Sequence, residues 1–284
     1  MTRQSGVTLV EIVVVIVLVG IVAGIASMQL GPTIRGYLMV ERRAALTDQA
    51  ETALRRIVTD VRSAVPNSLR QVSPQCVELV PTVDGGRFRS GPDVENAAAP
   101  GAFLDQFAAS ADFDVLTPFT HPVAANDLVV IGNQNTDDLY QGLTVAAIRS
   151  VAATAGATTG EHRITLAVPY LLPQGYTGGR FVVVPGSQPS VSYVCAGAGR
   201  DSAGNGTGTL YRITRDALAP AASCPDVALP TAAVLATHVE GCDFRYSPNL
   251  GATQESGFLQ LQLTLSAGGE SVPLTLGAHV DNVP

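Results

Sequence analysis

The residue best placed to do chemistry is Glu11, the one ionisable side chain in the apolar run from Val7 to Leu30. A carboxylate inside a membrane segment costs roughly 2.5–3.5 kcal/mol on insertion scales, so such a group normally has a partner. Lying about a turn into the run, Glu11 could also snorkel to the interface. Four cysteines, Cys76, Cys195, Cys224 and Cys242, form a second candidate set. They contain no CxxC pair, a poor spacing for structural zinc. An even count in an oxidising compartment predicts two disulfides, with three connectivities open. The favoured one joins Cys195 to Cys224, closing a loop of about 30 residues worth roughly 3–4 kcal/mol. It leaves Cys76 with Cys242.

The other polar residues do not assemble into a catalytic set. His121, His162, His238 and His279 are scattered, without a metal-ligand spacing such as HExxH. There is no GxSxG elbow and no P-loop. The pairs Asp112 with Asp114 and Asp137 with Asp138 read as solvated turns. Asp201 and Asn205 sit in the loop Gly199–Gly208, which lacks the alternating oxygens and terminal Glu of a calcium loop. The sequence predicts no catalytic residue, no metal and no cofactor. A net charge of −7 argues against nucleic acid, which needs a basic surface.

The elements that must position these residues begin with the apolar run. As a helix, Val7–Leu30 would span roughly 36 Å at about 1.5 Å per residue. That crosses a hydrocarbon core of about 30 Å. A secretory signal has an apolar region of about 7–15 residues, so this run is too long, although Ala23, Ala26 and Ser27 offer small residues for cleavage. A plain signal anchor explains the length but not Glu11. Gly20 and Gly24 make a small-xxx-small pair for close helix packing, and glycine is also simply common in membrane helices. Gly31-Pro32 predicts a kink or local break. Arg3 precedes the run and Arg35, Arg42 and Arg43 follow it, so the positive-inside count says little about orientation.

Thr33–Val65 reads as a second helical stretch. Leu46, Ala50, Leu54, Ile57, Val61 and Val65 recur on one face. Glu51 and Arg55 stand in the favourable i,i+4 order, and Pro66 ends the helix. Beyond it, short β-like runs alternate with turns: Cys76–Val80, Asp127–Ile131, Leu143–Ile148, Arg163–Val168, Arg180–Val184, Ser190–Cys195 and Thr209–Ile213. The clearest is Phe258–Leu265, whose alternating leucines give one wet face. Gly268-Gly269 turns it into Glu270–Leu276, a hairpin. Gly85–Ala111 reads as a long surface loop. The sequence shows no internal repeat.

The run Gly6-Val7-Thr8-Leu9-Val10-Glu11 resembles the prepilin motif of the type IV pilin and pseudopilin family. The resemblance implies cleavage after Gly6 by a prepilin peptidase, N-methylation of Val7, and pairing of Glu11 with the amine of a neighbouring subunit. Val7 departs from the family's usual Phe. The implied fold is α+β, a long N-terminal transmembrane helix packed on an antiparallel β-sheet domain. The implied parts are a leader (1–6), a membrane helix (7–30), a periplasmic helix (31–65) and a β-rich periplasmic domain (66–284). The implied partners are other minor and major pilins, the peptidase, an inner-membrane assembly platform and membrane lipid, with no nucleic acid. The implied location is the inner membrane, single-pass, and then a filament or its tip. Glu41-Arg42-Arg43-Ala44, Leu54-Arg55-Arg56, Asp60-Val61-Arg62, Val65-Pro66-Asn67-Ser68 and the run His279 to Pro284 are similar to large minor pilins of mannose-sensitive haemagglutinin pili. Two alternatives stand beside this one. One is a J-type minor pseudopilin of type II secretion, since the K-type usually lacks the glutamate. The other is a signal-anchored periplasmic enzyme or binding protein.

Overall fold

The computed structural model describes residues 6–154, 160–248 and 256–282. Residues 1–5, with Arg3, of the expected leader, and Val283 and Pro284 lie outside the described residues. Among the described residues, one long helix, α1 (Leu9–Arg62), is followed by thirteen antiparallel strands and a short helix α2 (Thr136–Tyr140). The fold is α+β: a long apolar N-terminal helix, then an antiparallel β-rich body.

Two sheets make that body. The first has seven strands in the order β1 (Arg70–Ser73), β2 (Cys76–Leu79), β9 (Ser190–Ala196), β10 (Gly208–Arg215), β11 (Ala232–Ser247), β12 (Ser256–Ala267) and β13 (Glu270–Asp281). It packs its apolar face on the last five turns of α1. The expected stripe is that contact: Leu46 is 5% exposed, Ala50, Leu54 and Ile57 are fully buried, and Val61 is 1% exposed. They meet Tyr193, Leu210, Phe244 and the alternating Leu259, Leu261, Leu263 and Leu265 of β12. Burial of each such aliphatic side chain contributes about 1.5–3 kcal/mol. At the upper end, Asp60 of α1 accepts from Tyr193 Oη at 2.6 Å and Arg212 Nε at 2.8 Å. Both donors stand on strands, so the pair of bonds fixes the helix to β9 and β10. The i,i+4 pair Glu51–Arg55 forms on the exposed side, at 2.8 Å from Nε.

The second sheet is an insertion. Its strands run in the order β3 (Asp84–Arg87), β8 (Arg180–Val184), β5 (Leu128–Val130), β6 (Val145–Ala153), β7 (His162–Tyr170) and β4 (Ser110–Val115). The chain just beyond β3 then pairs with β4: Arg89 N donates to Asp114 O at 2.9 Å and Leu116 N to Arg87 O at 2.8 Å. That ladder closes the sheet into a six-stranded barrel, which removes its open edges. Phe88, Phe113, Ile148, Ile164, Leu166 and Phe181 fill it. Residues 80–189 thus leave and re-enter between β2 and β9, which pair directly at Leu79 and Val191.

Several expectations need correction. Pro32 lies inside an unbroken α1, so the break at Gly31-Pro32 is absent. Proline removes one hydrogen bond, and the apolar helix on either side keeps the rest. The helix stops at Arg62 rather than at Pro66, because Val65 N is taken by Val80 O at 2.8 Å. Gly85–Ala111 is not one surface loop. It opens inside β3, closes the barrel at Phe88 and Arg89, and plugs it with the fully buried Leu104. The sixteen-residue β11 went unseen because Ala, Thr and Gly break its alternation. Since Leu54 is sealed between helix and sheet, Leu54→Ala is expected to destabilise by about 2–5 kcal/mol. Calorimetric unfolding of the full chain measures this, and a loss below about 1 kcal/mol would mean that the stripe is not the core.

Candidate functional site: the N-terminal helix

The site follows from how α1 begins. Thr8 is extended, with φ −80° and ψ 151°, and its hydroxyl accepts from Glu11 N at 3.3 Å. Thr8 O accepts from the same N–H at 3.1 Å and from Ile12 N at 3.3 Å. This is an N-cap, satisfying a donor that would otherwise be orphaned. Thr8 and Glu11 also stand at the spacing of a capping box. Val7 immediately precedes the cap, so Glu11 sits on the first turn, where the helix dipole favours an anion.

Among the described residues, 9–28 and 31–40 of this helix are all exposed. Val7 is 66% exposed, Leu18 56% and Val40 69%. The mean hydropathy reaches 3.0 over an 18-residue window of α1, and none of that window is buried. An exposed apolar surface of this extent marks a contact with lipid or protein. The faces of Gly20 and Gly24 are open, with no atom within 4 Å of where a Cβ would stand. Ser27 satisfies its hydroxyl on Ala23 O of its own helix, at 2.8 Å. At about 1.5 Å per residue the whole of α1 is roughly 80 Å long. Its lower part is left for a membrane or a partner, and its upper part is committed to the sheet.

The cysteines are paired, but not as favoured from the sequence. The disulfides are Cys76–Cys224 and Cys195–Cys242, with Cα separations of 6.1 and 6.4 Å. Strand alternation decides this. Cys76 stands opposite Val194 on the sheet face turned away from α1, beside Ile213 and the connection that carries Cys224. Cys195, one residue on, points to the opposite face, where Cys242 lies in the helix-side core. Cys76 and Cys242 are therefore on opposite faces.

The remaining candidates are structural or apart. His162 stacks on Phe119 with ring centroids 4.9 Å apart, and His279 meets Phe258 edge-on at 5.3 Å. His121 lies beside Asp84 at 3.8 Å, and His238 bonds to Thr237 at 3.0 Å. Asp114 is fully buried and binds Arg163 Nε at 2.8 Å and Arg89 Nε at 3.3 Å, while Asp112 accepts from Thr165 at 2.6 Å. Asp137 and Asp138 begin α2. Asp201 folds its own loop, accepting from Asn205 N at 2.8 Å, Ala203 N at 2.9 Å and Asn205 Nδ2 at 3.1 Å. Its side-chain oxygens accept from amides of its own loop. Sequence reading missed two buried networks. Asp60 is one. The other is Glu78, fully buried, which accepts from Arg70 Nε at 2.8 Å and Ser190 Oγ at 2.6 Å and pairs with the Arg215 guanidinium at 3.1 Å. No spacing in the sequence announces either.

The family model "Prokaryotic N-terminal methylation motif" matches residues 1–27. The motif is the one that type IV pilin-like prepilins carry at their N-terminus, and here it lies at the head of a candidate membrane-spanning helix. Proteins with the motif are structural subunits rather than enzymes, are processed by a prepilin peptidase and assemble with other pilins. No curated protein and no solved structure matches the chain.

Two expectations follow. The disulfides are 148 and 47 residues apart in sequence, worth about 5 and about 4 kcal/mol by chain entropy. Reduction should therefore lower the unfolding temperature steeply, and Cys76→Ser with Cys224→Ser should lose more than Cys195→Ser with Cys242→Ser. Asp201 is held below the ordinary aspartate range by the N–H and side-chain amide of Asn205. A lowered folded value means that its contribution is whole at neutral pH and vanishes on acidification through that value. Asp201→Ala should cut amide protection at Ala203 and Asn205 at neutral pH, with wild type converging on the variant in acid.

Proposed function

We infer that the chain is a minor pilin, an MshO-type subunit of a mannose-sensitive haemagglutinin-like pilus that starts or caps a type IV pilus-like filament. The observation that carries this reading is Gly6–Glu11 at the head of an uncovered apolar helix whose far end is set in a large β-rich body. The peptidase cuts after Gly6, and the new amino group of Val7 is methylated. The segment up to residue 30 crosses the inner membrane, and the body faces the periplasm. The cation on Val7 and the anion on Glu11 are each costly in a low dielectric, and each offsets part of the other's cost. Pairing Glu11 with the amine of a neighbouring subunit would set axial register, since only one stagger brings the two together. A body enlarged by a barrel suits a subunit used once at an end better than one repeated along a shaft.

The sequence contains no lysine. Its one primary amine is therefore the α-amine, at Met1 in the precursor and at Val7 after cleavage. Intact mass and amine-directed labelling, in cells with and without the peptidase, should place the amine on Val7 with one added methyl only when the enzyme is present. An uncleaved chain, or a cut near Ala26, would overturn the reading. Glu11→Val should still be cleaved yet fail to enter filaments. Assembly at the wild-type level would remove the pairing role.

A further inference from the structure

A tetrapeptide occurs twice in the chain, as Gly85-Gly86-Arg87-Phe88 and as Gly178-Gly179-Arg180-Phe181. The fold brings the two copies together. They lie antiparallel in the β3–β8 ladder, with Arg87 directly opposite Arg180 and Gly86 opposite Phe181. On the other side of the arginine pair, Phe88 N donates to Gly179 O at 3.0 Å. The register is thus symmetric about the two arginines.

The phenylalanines have a structural explanation. Both point into the barrel and flank Phe113 edge-on, with centroids 6.2 and 5.5 Å away. So do the glycines beside them. A Cβ on Gly86 would strike Thr117 Oγ1 and the Phe181 ring, and Gly179 has a φ of +60°. The arginines have no such explanation. Alternation turns them outward, and both are exposed. Like charges directly opposite each other in a sheet are unfavourable. Seven other arginines of the β-rich body form ion pairs, and Arg149 donates to Ala167 O. Among the described residues, neither Arg87 nor Arg180 has an acid within ion-pair distance.

We propose that Arg87 and Arg180 form a recognition site for side-chain carboxylates on an acidic segment of a partner protein. Arginines directly opposite each other on adjacent strands can present two guanidinium forks to planar carboxylates through paired hydrogen bonds. The neighbouring backbone donors are already committed, Arg87 N to Thr117 Oγ1 at 3.2 Å and Arg180 N to Tyr176 Oη at 3.3 Å. The site therefore lacks the nest of free N–H groups that suits phosphate. Gly85, two residues before Arg87 and on the same strand face, puts no side chain in the way of an approaching chain. Arg180 also lines the crevice where the barrel meets the end of α1, with Pro66 and Asn133. A segment bound there would lie against both halves of the body. The partner is defined by its carboxylates alone, so the site stands whether or not the chain is part of a filament.

The test is scanning calorimetry of the full-length chain in detergent, at low salt, with hexaglutamate, hexaglutamine or inorganic phosphate at equal ionic strength. Hexaglutamate should raise the wild-type Tm by about 2–4 °C once it exceeds its dissociation constant several-fold. Hexaglutamine should not. Arg87→Gln and Arg180→Gln should each lose most of that response. Without peptide each should melt no lower than wild type, because one member of a repelling pair is gone. The proposal is overturned if hexaglutamate acts no better than hexaglutamine, or if phosphate matches it. It falls equally if the variants respond as wild type does, or if either variant melts lower without peptide, which would reveal an internal partner.

Discussion

Burial of a single apolar stripe on α1 is what the rest of the structure depends on. The helix is one continuous element, yet its two parts live in different surroundings. From Leu46 upward the stripe is sealed against the seven-stranded sheet, and below it the described side chains stand open. The sheet exists largely to cover that stripe. β12 alternates leucines towards it and glutamines away from it, and β11 and β13 flank it. An isolated helix of this kind would be stable only through its tertiary contacts or a membrane. The sealed upper part therefore fixes the direction in which the open lower part projects.

The same economy explains how the barrel is carried. An insertion between two paired strands would swing if only its two connections held it. Here its outer wall, Val130 and Val184, packs on Val65 and Val80, with Leu139 and Tyr140 of α2 closing the seam. Tyr140 Oη donates to Ser68 O at 2.8 Å, and the Arg70 guanidinium lies 3.6 Å over its ring. Burial pushes the Tyr140 phenol well above its usual range, so it stays neutral and remains a donor at any physiological pH. Arg70 in turn is held by Glu78, and Glu78 by Arg215 and Ser190. Leaving any of these charges alone in the interior would be strongly destabilising. The network therefore commits barrel, sheet and helix end to one arrangement.

The parts legible in the sequence are those governed by local periodicity. The apolar run, the stripe from Leu46 to Val61, the hairpin around Gly268-Gly269 and the expected short strands all depend on neighbours a few residues apart. The motif Gly6–Glu11 is equally local. What stayed hidden depends on pairing between distant residues. The disulfide partners follow from strand register, which no spacing of cysteines reveals. Barrel closure rests on contacts between residues 87–89 and 114–116, in a stretch whose turn residues read as loop. The repeated Gly-Gly-Arg-Phe has no period, because its copies are far apart and occur only twice. It acquires meaning once the ladder places one copy against the other.

These two kinds of information match two kinds of demand. On the proposed function the N-terminal helix is recognised by a peptidase and packed by lipid or other helices apart from the body, which calls for signals that are local and linear. Thr8 caps the helix through the Glu11 N–H, so the place of the carboxylate on the first turn is set by residues three apart. Recognition by the body can be assembled from distant residues, because it operates only after folding. An unpaired arginine couple would be a liability in a marginally stable domain, and here it is set on a closed barrel with no free edge and a packed aromatic centre. The barrel's rigidity keeps two like charges side by side where a looser surface would let them part. That persistence is what a paired guanidinium site needs in order to discriminate a carboxylate from solvent.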